Sequence, residues 1–496
     1  MSILHKFKKR LFNIIKSWYN YNGDNMNKTK IIATIGPASS DKETLRSLIT
    51  SGMDVARLNL SHANNGFCTE IINRINELNK ELETNVAIMV DTEGPSIRID
   101  KFSGGNAYLK KGDKIRIYME EVLGDSTKFS VNYSNLINDV KYNTIIKLDD
   151  GRIDLEVIDK GNNYLLCEVK GEGIIEDHKR VNVPGTKLSI PFLSKKDKES
   201  ILYANRMGID FIALSFVSSS DDILEVNDLL IELDNDHIGI IAKIENESAV
   251  DGIDEIIRVS DGIMIARGDL GVEVPMERVP GIQKSIISKC HNMGKVSIVA
   301  TEMLSSMESS SRPTRAEVSD VANAVLDSTD AVMLSGETTI GKYPAETLKV
   351  MEKIIASAEE DINYIELLGK AMRTEKQDIT GSIAYSVAEC ANRLKCKAIV
   401  APTMSGYTAR KMSRFRPSCP IVAVSPDINT VKSLALYFGV YATLIDELNS
   451  FDKIVKKSQE VVKQVIDIEE GDKIIITGGY PFKEVKHTNF MKIEEI

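Results

Sequence analysis

The stretch Gly239-Ile240-Ile241-Ala242-Lys243-Ile244-Glu245-Asn246 opens as a run of apolar, β-branched residues and ends in charge. Such a run reads as a strand covered on both faces, as in a parallel sheet. Residues two apart on a strand share a face, so Lys243 and Glu245 project to the same side at its C-terminal end. The next run, 262–266, ends the same way in Arg267-Gly268-Asp269.

Outward from these two, the apolar runs are 31–35, 55–60, 87–91, 211–216, 239–244, 262–266, 297–300 and 331–334, mostly with helical patterns between them. Eight strand-then-helix units are the number that closes a (β/α)8 barrel, although counting alone also allows a doubly wound sheet. Between the third and fourth runs, strands alternate with tight turns such as Lys110-Lys111-Gly112-Asp113, Asp149-Asp150-Gly151 and Lys160-Gly161-Asn162-Asn163. That texture predicts a small β domain inserted in a barrel loop. A fresh series of runs at 397–402, 421–424, 443–445 and 473–477 predicts a C-terminal α/β domain. The expected organisation is an arm over 1–25, a barrel split into 26–94 and 193–360, an insertion over 95–192 and a last domain over 361–496.

At 496 residues, with 43% hydrophobic and 27% charged residues, the chain has the composition of a multidomain globular protein. No uninterrupted apolar run reaches the roughly 18 residues of a membrane span. A net charge of −10 argues against a nucleic-acid binder. Six cysteines without C-x-x-C spacing fit a reducing, cytoplasmic setting rather than a zinc ribbon. The first 25 residues differ, with Lys6, Lys8, Lys9, Arg10 and Lys16 against Asp24, and with Ile3, Phe7, Leu11, Ile14 and Trp18 at helical spacing. A basic amphipathic helix of this kind lies on a membrane surface or directs a chain to an organelle. The plainer expectation is a dispensable arm, or translation starting at Met26.

Six of the eight runs end in polar residues: Arg57 to His62, Asp91-Thr92, Lys243 to Asn246, Arg267 to Asp269, Thr301 and Ser335 to Glu337. Barrel active sites lie at the C-terminal strand ends. Glu245 and Asp269, on neighbouring strands, can share one Mg²⁺ or Mn²⁺, which favours carboxylate oxygens. Lysine, metal and Arg57 around one cavity is the equipment of phosphoryl transfer, whose catalysis is mostly positioning and charge neutralisation. A lone K-x-E is more often an ordinary ion pair; six strand ends together weaken that reading. The sequence contains neither a Walker loop nor a G-x-G-x-x-G loop, so side chains and metal must bind the phosphates.

From about Met26 onward the chain resembles the pyruvate kinases. The resemblance rests on Thr34 to Ser39 (T-I-G-P-A-S), Val55 to His62 (V-A-R-L-N-L-S-H), Lys243 to Asn246, Asp261 to Gly271, Arg312 to Val325 and Leu334 to Thr338. It implies a TIM barrel with an inserted small β-barrel lid, and transfer of the phosphoryl group of phosphoenolpyruvate to ADP in glycolysis, giving pyruvate and ATP. By matching motif, Glu245 and Asp269 resemble divalent-metal ligands, and Lys243 the residue stabilising the transferring phosphoryl group. Arg57, Gly268, Asp269 and Thr301 resemble substrate contacts, Thr301 lying where the enolate carbon is protonated. Asn59, His62, Arg98 and Lys179 resemble nucleotide contacts, and Asn59, Ser61, Asp91 and Thr92 a cage for a monovalent cation, usually K⁺. Lid closure over the barrel would exclude water.

In the C-terminal domain Thr403, Ser405, Gly406 and Thr408 resemble a loop for a sugar-phosphate effector, which an N-capped helix would also explain. The partner loop 480–487 lacks the glycines expected there. Members are commonly homotetramers. Four departures stand out: Glu93 and Ser96 replace the usual Lys and Glu of D-T-K-G-P-E-I-R, Glu302 replaces Gln, and Arg180 replaces Gly in the lid's K-G-V-N. Ser96 leaves the K⁺ requirement open. Glu302 adds negative charge next to Thr301. Glu93, Ser96 and Glu302 are the sequence support for an alternative, a catalytically weak paralogue kept as an effector-binding or interaction protein.

Overall fold

A computed structural model describes residues 26–61, 65–235, 237–374, 378–447, 450–481 and 487–496. The N-terminal arm, His62 and residues 482–486 lie outside them. Eight parallel strands close into a barrel in chain order: β1 (Lys30–Thr34), β2 (Val55–Asn59), β3 (Ala87–Asp91), β4 (Phe211–Leu214), β5 (Gly239–Ile244), β6 (Gly262–Ala266), β7 (Val296–Ala300) and β8 (Ala331–Leu334). Closure is made by Lys30 pairing in register with Ala331.

Strand periodicity sorts the side chains into two sets. Ile32, Val55, Met89, Ala213, Ile241, Met264, Ile298 and Met333 fill one core. Their neighbours Ile31, Ala56, Ile88, Ile212, Ile240, Ile263, Val299 and Val332 pack with the surrounding helices, for example with Leu45 and Leu48 of helix Lys42–Thr50 and Ile286 of helix Val279–Met293. Continuing the first set outward by steps of two reaches Arg57, Asp91, Ser215, Lys243 and Glu245. The fourth strand stops at Leu214 rather than at 216 because Ser215 turns back to Thr92 and Phe216 takes φ +58°.

The chain leaves the barrel after β3 and returns before helix Lys195–Met207, building a seven-stranded sheet and a two-stranded ribbon around their own core. One hairpin connects Ile145–Leu148 with Ile153–Lys160 through Asp149, Asp150 and Gly151, all at positive φ. Aspartate and glycine tolerate that region better than other residues. The C-terminal sheet contains β9 (Ala398–Pro402), β10 (Ile421–Ser425), β11 (Val440–Leu444), β12 (Lys473–Gly478) and β13 (Phe490–Glu495), ordered β11-β10-β9-β12-β13. The antiparallel edge strand β13 was not expected, since its charged sequence Phe-Met-Lys-Ile-Glu-Glu lacks an apolar run. Among the described residues no helix is long and apolar enough to cross a membrane.

The N-terminal end of the barrel is fastened by a device that repeats on every second strand. Asp54, Asp210, Asp261 and Asp330 each directly precede an even-numbered strand, and each accepts a bond from the second N–H of the strand before it. The donors are Ile31, Ile88, Ile240 and Ser297, at 2.9, 2.7, 2.9 and 2.9 Å. The C-terminal domain grips two of these carboxylates: Lys432 reaches Asp210 at 3.5 Å and Arg416 reaches Asp330 at 2.7 Å. Arg416 is 2% exposed, bonds the Ser328 carbonyl at 3.0 Å and stacks 4.4 Å over the Phe438 ring. Nearby, His291 bonds the Arg414 carbonyl through Nε2 at 2.7 Å.

Removing one partner of a buried ion pair strands the other, so Arg416→Ala is expected to cost about 3–5 kcal/mol, read from denaturant midpoints at pH 7. Burial, and then the charge of Arg416, push the His291 pKa down to about 4, so the folded chain binds fewer protons there than the unfolded chain. That contribution is complete above about pH 6.5 and is lost as pH falls toward 4. His291→Gln is expected to flatten this part of a stability-against-pH profile; an unchanged slope would contradict the assignment.

Candidate active site

The C-terminal strand ends gather four charges in a dry place. Lys243 Nζ lies 3.1 Å from Asp91 Oδ2 and 3.0 Å from Glu245 Oε1, and donates to Ser215 Oγ at 2.7 Å. Arg57 pairs with the same Asp91 Oδ2 and donates through Nη1 to Thr34 Oγ1 at 2.9 Å. Asp91 and Glu245 are each 1% exposed, Arg57 7% and Lys243 8%. Glu245 also accepts from the Phe216 N–H at 2.7 Å.

Burial penalises each charge, and the neighbours decide the outcome. For Lys243 burial pulls downward, but Asp91 and Glu245 outweigh it and hold the ammonium above the ordinary lysine value. Burial would raise Asp91, yet Arg57 and Lys243 together bring it below the ordinary carboxylate range. Glu245 has one close cation and lies in the field of Asp269, so burial wins and its pKa is raised.

The helix Arg267–Glu273 begins directly at the end of β6. Gly268 N–H donates to Thr301 Oγ1 at 2.9 Å, and Thr301 Oγ1 donates to the Ala300 carbonyl at 2.6 Å. Thr301 has φ +66° and Glu302 +54°. A positive φ is strained for a β-branched residue and is stored where surrounding bonds impose it. Arg267 imposes it by gripping the Thr301 carbonyl at 2.7 Å while both oxygens of Asp320 hold its other nitrogen. Glu302 itself is exposed, so solvent screens its charge.

Arg57, Asp91, Thr92, Lys243 and Glu245 thus form one connected cluster, since Ser215 Oγ also donates to the Thr92 carbonyl at 2.8 Å. Asn59 lies in register with Asp91, and its Oδ1 accepts the Ser61 N–H at 3.0 Å. Arg98 and Lys179 sit on the inserted domain: Arg98 bonds the His178 carbonyl at 3.1 Å and Lys179 pairs with Asp149 at 3.0 Å. Glu93 is neutralised by Lys196 at 2.6 Å. In the effector-like loop, Gly406 has φ +75°, Arg410 bonds the Ser405 carbonyl, Thr403 N–H donates to Val424 and Thr408 Oγ1 lies 3.0 Å from Thr488 Oγ1.

The donor sets suit the expected cations. Asp91 Oδ1 is buried without a protein hydrogen-bond partner, an oxygen available to a monovalent ion beside Asn59, Ser61 and Thr92. Buried Glu245 lies in the field of the part-exposed Asp269, and two carboxylates facing one place are the circumstance a divalent cation relieves. Two contributors escaped the sequence reading. Ser215 is legible from strand parity, two residues beyond Ala213; Arg180 stands where the family usually has Gly, but its pairing with Asp269 depends on how the insertion folds back.

A closed barrel with paired buried charges at its C-terminal mouth and a β domain reaching over it defines an enzyme class that handles anionic groups. The family model described as pyruvate kinase, barrel domain, matches residues 26–348, and that for the pyruvate kinase alpha/beta domain matches 381–494. A pyruvate kinase of Staphylococcus saprophyticus is 45% identical over 94% of this chain and 80% of its own length. One from Clostridium perfringens is 43% identical over 95% of this chain and 100% of its own. A crystal structure of a pyruvate kinase from Cryptosporidium parvum superposes with a TM-score of 0.90, at 36% identity and 97% coverage of both chains. The chain belongs to the pyruvate kinase family.

Proposed function

We propose that the chain transfers the phosphoryl group of phosphoenolpyruvate to ADP at the barrel mouth, with a divalent cation held by Glu245 and Asp269. The observation that carries the reading is Lys243, buried, charged and fixed by Asp91, Glu245 and Ser215 beside Arg57. In the reaction the phosphorus–oxygen bond to enolpyruvate breaks, a β-phosphate oxygen of ADP takes the phosphoryl group, and the enolate carbon takes a proton. Arg57 and Lys243 face the oxygens on which charge accumulates, and their positions are set before substrate arrives. Gly268 and Thr301 line the substrate's carboxylate and enol side, with the Thr301 hydroxyl at the protonated carbon. Asn59, His62, Arg98 and Lys179 receive the nucleotide. The divalent cation, when bound, neutralises phosphoryl and enolate oxygens. K⁺, held by Asn59, Ser61, Asp91 and Thr92, adds positive field.

The inserted domain acts as a lid, for which its contacts to the barrel speak: Asn182 bonds Glu273 at 2.7 Å and Lys147 bonds the Val272 carbonyl at 2.8 Å. Water exclusion beneath it favours transfer over hydrolysis. Thr403, Ser405, Gly406 and Thr408 form the sugar-phosphate effector loop of a homotetramer, whose symmetric interfaces would transmit the signal.

Pyruvate formation from phosphoenolpyruvate and ADP with Mg²⁺ is expected in the full chain, measured with and without K⁺. Lys243→Met is expected to lower kcat by about 10³-fold or more. Ser215→Ala, which loosens Lys243 without removing it, is expected to lower kcat by about 10- to 100-fold with a smaller change in KM. No turnover under any cation, together with binding of phosphorylated sugars, would instead favour the effector-binding paralogue.

A further inference from the structure

Arg180 belongs to the inserted domain, on the strand Arg180–Asn182, yet its guanidinium pairs with Asp269 of the barrel. It lies 4.9 Å over the ring of Phe216, whose N–H holds Glu245. Burial disfavours its charge, but its partner Asp269, and then the field of Glu245, outweigh that cost. Asn182, two residues further along the same face of the strand, and Lys147, on the paired strand Ile145–Leu148, grip the same short helix at Glu273 and Val272.

These three contacts differ in what they engage. Asn182 and Lys147 hold groups outside the proposed metal pair. Arg180 holds Asp269 itself. A carboxylate oxygen that already receives a guanidinium N–H has less charge to offer a metal, and a fixed positive charge at that place repels a second one. Glycine, the residue usual at this position in the family, could not reach across, so the coupling is a property of Arg180 and not of the strand that bears it.

We propose that Arg180 is a positioning residue that sets docking of the inserted domain and loading of the divalent cation against each other, because both draw on Asp269. The inference rests on the reading of Glu245 and Asp269 as the metal pair. Linkage makes the effect reciprocal: docking through Arg180 weakens cation binding, and the cation loosens docking by the same factor. Arg180 then allows full loading of the cation when substrate phosphates offer the guanidinium another partner.

The test is a Mn²⁺ titration of the full chain without substrates, followed by electron paramagnetic resonance, on wild type, Arg180→Gly, Arg180→Lys, Glu245→Gln and Asp269→Asn. Arg180→Gly is expected to bind Mn²⁺ at least about fivefold more tightly than wild type, with Arg180→Lys between them. Amide exchange over 145–148 and 180–182 is expected to quicken in Arg180→Gly, and in wild type on adding Mn²⁺. Equal or weaker Mn²⁺ binding by Arg180→Gly, while Glu245→Gln and Asp269→Asn lose it, would overturn the coupling and leave the metal pair standing. Mn²⁺ binding undiminished in both carboxylate variants would overturn the metal pair and the coupling with it.

Discussion

Asp91 is the group on which the barrel mouth depends. Two buried cations, Arg57 and Lys243, both pair with it, and that pairing offsets much of the cost of holding their charge away from water. Its position is set by strand geometry: it ends β3 in register with Asn59 of β2 and Ala213 of β4, and faces inward with the parity of Met89. Ser215 and Thr34 complete the arrangement as oriented hydroxyls, each also bonded to a backbone carbonyl and so unable to drift. Pre-paired charge of this kind binds anions without paying for reorganisation when they arrive, because the dipoles are aligned by the fold.

Much of this was legible in the chain because a parallel barrel writes its strands as apolar runs and its chemistry at their ends. Lys243 and Glu245 could be placed on one face from spacing alone, and Asp91 could be placed at the end of its strand. Ser215 follows the same parity but was absorbed into a run read as continuing to 216. The antiparallel edge strand β13 was hidden for a different reason: an edge strand needs no apolar run, and charge along it discourages pairing with other chains. What no periodicity carries is a contact between segments far apart in sequence, such as Arg180 with Asp269 or Arg416 with Asp330. Such pairs are fixed by the path of the inserted and C-terminal domains, which local patterns do not encode.

The repeated aspartates at the other end of the barrel belong to the same kind of hidden order. Each accepts an N–H from the preceding strand, which ties the strands in pairs where their ladder begins. A single aspartate before a strand is unremarkable, and the four become a signal when aligned against strand number. Their value lies in satisfying backbone donors at a buried end, where each unpaired N–H would cost about 1–3 kcal/mol.

These two ends divide the labour of the molecule. Side chains of the inserted domain reach Glu273, Val272 and Asp269 at the C-terminal ends of the strands, whereas the C-terminal domain holds Asp210 and Asp330 at the N-terminal ends. A barrel strand spans the distance between them with its hydrogen-bond register intact, and a packed core transmits displacement rather than absorbing it. Asp210 and Ser215 lie at opposite ends of one such strand, the first held by Lys432 and the second holding Lys243.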